Sequence, residues 1–93
     1  MTVKEWLEDT QFEDILILRN YGYDTAFVGV TTDGYAVYDY NKMVEWLMKK
    51  EGWSYEDSVE WIEYNTIRSL PYFEGKAPII IYPCDEEITD SED

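Results

Sequence analysis

The spacing of apolar residues changes period at Asp39 and changes back near Ala77, and this double switch limits the folds open to the chain. Before Asp39 the apolar residues come in short runs separated by turn formers: Asp14 to Arg19, Thr25 to Thr31, and Tyr35 to Tyr38. Such runs, rich in Ile, Val, Tyr and Phe, read as strands. Asn20 to Asp24 supplies a turn around Gly22, and Asp33-Gly34 reads as a tight hairpin turn of type I′. From Asp39 the spacing is helical. Tyr40, Met43, Val44, Leu47 and Met48 form one stripe, with Asp39 at the N-cap and Gly52 at the C-cap position. Ser54 and Asp57 open a second helix, on which Tyr55, Val59, Ile62 and Thr66 share the apolar face, and Pro71 ends it. Ile79 to Tyr82 then returns to strand character, its three isoleucines calling for cover on both sides. At the other end, Thr2 and Glu5 have capping-box spacing, which predicts a short helix over Val3 to Asp9. The expected fold is α+β: a small antiparallel sheet in the order β-β-β-α-α-β, two helices packed on one face, and a short N-terminal helix.

A chain of 93 residues has room for one such domain. Its hydrophobic content of 45%, including four Trp and nine Tyr, can furnish a dense core, which a disordered acidic chain could not. The domain is expected over residues 1–83. Residues 84–93 hold six acids and no base and are expected to form a disordered tail.

Charge narrows the class of partner. Twenty-one acids against seven bases give a net charge of -14, and without the six acids of the tail the body still carries -8. A body this negative repels phosphate backbones and anionic membrane surfaces, so neither direct nucleic-acid binding nor membrane binding is expected. It is drawn instead to basic protein surfaces, including those that hold DNA or RNA. The single cysteine, the acids in the first ten residues and the lack of a long apolar run lead to an expected cytoplasmic location.

Reactive chemistry finds little footing. The chain has no histidine, the commonest general base and metal ligand. Cys84 follows Pro83 with acids on its other side, which disfavour the thiolate. Asp85 to Asp90 lacks the alternating ligands and central glycine of a calcium loop, and the five glycines are scattered singly. No catalytic residue, metal ligand or cofactor site is expected.

Three segments carry a resemblance: Asp24-Thr-Ala-Phe-Val-Gly-Val30 with Ala36-Val-Tyr-Asp-Tyr40, then Tyr55-Glu-Asp-Ser-Val-Glu-Trp-Ile-Glu-Tyr-Asn65, and the closing Gly75-Lys-Ala-Pro-Ile-Ile-Ile81. In order and spacing they resemble a family of uncharacterised small acidic proteins of tailed bacteriophages, over about two-thirds of the chain. The chain departs from that pattern after Asn65, where Thr66-Ile67-Arg68-Ser69-Leu70 replaces small residues. The resemblance implies a viral origin and no particular reaction.

The candidate site is a surface. Glu56, Glu60 and Glu63 fall on one side of the second predicted helix, with Trp61 and Tyr64 on an adjoining side beside Asp57 and Arg68. An acidic stripe bordered by aromatic residues suits a protein interface. The expected function is that of a phage-type accessory protein, a monomer or homodimer. It would bind a basic site on a host protein, with carboxylates standing in for the phosphates of a nucleic acid. The alternative is a small interaction module that self-associates or joins a phage assembly.

Overall fold

The computed structural model describes residues 1–10, 12, 14–18, 20–84, 86, 88 and 89, and it is an α+β domain. Helix α1 (Val3–Asp9) opens with the expected capping box: the Glu5 N–H donates to Thr2 Oγ1 at 3.1 Å and the Thr2 N–H donates to Glu5 Oε1 at 2.8 Å. Its buried Val3 and Leu7 face the body, and the Val3 N–H donates to Asp24 Oδ2. A 3₁₀ turn (Asn20–Ala26) leads into β1 (Phe27–Val30), which pairs antiparallel with β2 (Ala36–Asp39). The register slips between Phe27 and Gly29, a bulge that turns Val28 out to solvent.

Helix α2 (Tyr40–Glu51) starts directly from β2. Asp39 caps it by accepting from the Lys42 N–H at 3.0 Å, and Gly52 ends it at φ 71°, a left-handed conformation that favours glycine. Tyr40, Met43, Val44 and Leu47 are buried, and they join Tyr23, Ala26, Ala36, Tyr38 and Ile62 in one core. Edge-to-face ring pairs brace this core, Phe27 against Tyr38 and Tyr23 against Trp46, with centroids 5.6 and 5.5 Å apart. Helix α3 (Tyr55–Trp61) is capped by Ser54, widens into a π turn (Ile62–Thr66) and tightens into a 3₁₀ segment (Ile67–Tyr72) containing Pro71. Strand β3 (Ile79–Ile81) completes a sheet of order β1-β2-β3.

Several expectations are corrected. Within Asp14 to Arg19, residues 15–18 run without strand pairing, and Arg19 lies outside the described residues. The sheet is mixed: β3 pairs parallel to β2, with Val37 opposite Ile79 and Asp39 opposite Ile81. The connection over residues 40–78 is long enough for the crossover that a parallel pair requires. The hairpin turn sits one residue earlier than expected, because the Gly34 N–H bonds the Thr31 carbonyl and Thr32-Asp33 become its central pair. Gly34, at φ 91°, follows as the left-handed residue of a longer loop. Of the three isoleucines only Ile80 packs on the core, since alternation along β3 turns Ile79 and Ile81 to the other face, where they are 37% and 36% exposed. On α3, Tyr55 is exposed and Ser58 takes the buried place, its hydroxyl donating to the Ser54 carbonyl. The expected tail has Cys84, Glu86, Ile88 and Thr89 exposed, and the remainder lies outside the described residues.

Candidate functional site

Twelve consecutive residues from Tyr55 to Thr66 contain four acids and no base. Glu56, Asp57, Glu60 and Glu63 are all exposed, because the helix turns Ser58, Ile62 and Thr66 inward. At 1.5 Å of rise per residue, the four carboxylates are spread over about 10 Å of helix axis. One strand of DNA carries a charge per 3.4 Å, or about three over that length. The linear charge density of the two is comparable.

The structure brings part of the expected site together. Glu60, Trp61 and Tyr64 line one cleft of about 260 Å³, joined by Trp53, Asp57 and Asn65. Trp61 is half-buried and packs against the core on one side, while its ring lies 6.2 Å from that of Trp53. Tyr64 is 57% exposed and carries the Arg68 guanidinium 4.6 Å above its ring. Asn65 donates from Nδ2 to the Trp61 carbonyl at 3.0 Å, a bond within its own helical run at the π turn. The Ile67 N–H reaches five residues back to the Ile62 carbonyl, and this wider turn displaces Tyr64 and Asn65 from where an ideal α-helix would hold them.

Glu63 belongs elsewhere. Its Oε2 accepts a hydrogen bond from the Tyr40 hydroxyl at 3.2 Å, and the Tyr40 ring lies 4.8 Å from that of Tyr82. Burial, with the Glu63 carboxylate adding to it, pushes the Tyr40 phenol up to about 12. The glutamate stripe is therefore divided: Glu60 faces the aromatic cleft, Glu56 is exposed on the helix, and Glu63 ties the end of α3 to the start of α2.

Trp53 and Asn65 are cleft residues outside the site expected from the sequence, and Asp57, expected beside Trp61 and Tyr64, joins them there. Trp53 had a visible signal, standing just before the N-cap Ser54 and eight residues ahead of Trp61, so that two indoles bracket the first two turns. The mid-helix Asn65 followed by the β-branched Thr66 and Ile67 was a weaker hint of an irregular turn. Among the described residues no group of three His, Cys, Asp or Glu side chains is placed to hold a metal ion, and no helix is long and apolar enough to cross a membrane.

Comparison with protein-family models, with curated proteins and with solved structures returns no match for this chain.

Proposed function

We propose that the chain is a non-catalytic accessory protein of the phage type that occupies a basic, nucleic-acid-binding surface on a host protein. The observation that supports this most is the exposed set Glu56, Asp57 and Glu60 on a base-free run, two of them lining an aromatic cleft. Glu56, Asp57 and Glu60 present charge at phosphate-like density to the partner's Lys and Arg. Trp53, Trp61 and Tyr64 add apolar area that loses water on contact, which supplies affinity that charge alone does not. The net charge of -14 accelerates the encounter from a distance.

The test is capture of proteins from a bacterial lysate on the immobilised chain. Retention should fall steeply between about 0.05 and 0.5 M salt, because the encounter is electrostatic. Added double-stranded DNA or RNA should displace what is held. Capture that is indifferent to salt and to nucleic acid would defeat mimicry.

One observation favours the second reading, a self-associating module: β3 is an edge strand with Ile79 and Ile81 part exposed and Tyr82 75% exposed beside it. Sedimentation of a dimer that Ile81→Lys converts to monomer would support that reading.

A further inference from the structure

The segment Ile15–Leu18 has the composition of a strand and, among the described residues, no strand partner. Among the described residues neither Leu16 nor Ile17 makes a backbone hydrogen bond, and the Leu18 N–H is held by a side chain, the Tyr38 hydroxyl, at 3.2 Å. Backbone donors and acceptors in a half-buried segment are ordinarily paired, because leaving one unmade is costly where water is excluded. Two clefts flank the segment and meet at Leu16. The larger, about 390 Å³, lies between Leu16–Leu18 and the residues Thr66, Ser69 and Phe73. The smaller, about 300 Å³, is bounded by Asp14, Ile15 and Leu16 on one side and Glu74, Gly75 and Lys76 on the other.

We infer that Ile15–Leu18 is a receiving edge for an extended peptide of a partner protein, one that alternates apolar and basic side chains. The unpaired amides of Leu16 and Ile17 supply main-chain hydrogen bonds, and the clefts take alternate side chains, as in strand addition to an exposed edge. The larger cleft suits an apolar side chain, since its walls are Leu16, Ile17, Leu18 and Phe73. The smaller suits a basic one. Asp14 and Glu74 line it and are exposed, whereas the Lys76 ammonium is engaged by the Asp33 carbonyl and stands 5.6 Å from the Tyr35 ring centroid. Charge favours a basic peptide over a second copy of this chain as occupant of this groove, because each copy carries -14. The groove does not include Glu56 or Glu60, so it stands independently of the acidic helix.

The probe is a fluorescent (Leu-Lys)₄ peptide, compared with (Leu-Glu)₄ and with two alternately N-methylated (Leu-Lys)₄ forms, each lacking the amide donors of one edge. Anisotropy reads affinity, and NMR amide exchange at Leu16 and Ile17 reads position. The expected result is at least tenfold slower exchange of those two amides at saturating (Leu-Lys)₄. Binding should be at least tenfold weaker for (Leu-Glu)₄ and for one of the N-methylated forms. The same protection should persist in the Glu56→Lys/Glu60→Lys variant, which separates this groove from the acidic helix. Equal binding of both N-methylated forms would overturn the inference, as would protection confined to residues 55–66 or no binding at all. A dimer in which Leu16 and Ile17 are already protected without peptide would overturn it too, by giving the edge to a second copy.

Discussion

Helices α2 and α3 lie next to each other in sequence and in space, yet they are built for different work. Helix α2 buries Tyr40, Met43, Val44 and Leu47, is closed at both ends by Asp39 and Gly52, and its twelve residues carry three Lys against two Glu. Helix α3 and its π turn bury only Ser58, Ile62 and Thr66 and carry four acids with no base. The first helix holds the fold and leaves little of chemical interest in water. The second is held to the body through Ile62 in the core and the half-buried Val59 and Trp61, and it presents its four acids to solvent.

The largest expected effect separates the two directly. Leu47→Ala, at a fully buried position of α2, should destabilise the protein by about 2–5 kcal/mol in urea titration. Val59→Ala, half-buried on α3, should cost about 1 kcal/mol. Equal losses would mean that the two helices are equally structural. The caps sharpen the same contrast at smaller scale. Ser54→Ala and Asp39→Ala each remove one N-cap acceptor, and each should lower stability by about 1 kcal/mol. Gly52→Ala meets no atom within 4 Å, so its loss of about 1 kcal/mol would come from the left-handed backbone alone.

Alkali should loosen the core at Tyr38 and the link from Tyr40 to Glu63. The Tyr38 phenol, raised by burial, and the Tyr40 phenol are both pushed up to about 12 from the usual value near 10. The folded chain therefore holds these protons more tightly than the unfolded chain does. Their contribution is complete below pH 10 and is lost as pH rises through 12. A melting temperature that falls over that window, and falls less in Tyr40→Phe, is the expected result. An equal fall in Tyr40→Phe would show that the Tyr40 phenol contributes nothing to it.

Much of this contrast was legible in the residues. Capping signals are local, and Thr2, Asp39, Gly52 and Ser54 all act as their types and spacing indicate. What could not be read depends on partners distant in sequence. Ile15–Leu18 has strand composition, but composition does not supply a neighbour, and among the described residues none pairs with it. The run Ile79-Ile80-Ile81 signals a strand without saying whether that strand is central or at an edge, parallel or antiparallel. At the site, exposure of Glu56 and Glu60 followed from helical spacing. The π turn, the Trp53–Trp61 pair and the Tyr40–Glu63 bond did not, because each depends on how α3 settles against the body.

The smallest expected effect on stability should accompany the largest effect on binding. Glu56→Lys/Glu60→Lys leaves the Glu63 bond intact and alters only exposed side chains, so stability should change by less than about 1 kcal/mol. The decisive measurement compares that variant with Lys49→Glu/Lys50→Glu on α2, each immobilised at equal density and exposed to the same bacterial lysate. The account predicts that the α3 variant loses at least tenfold of the captured, nucleic-acid-displaceable protein while the α2 variant keeps it. Equal capture by the wild-type chain and the α3 variant would contradict the assignment of the acidic helix as the contact surface.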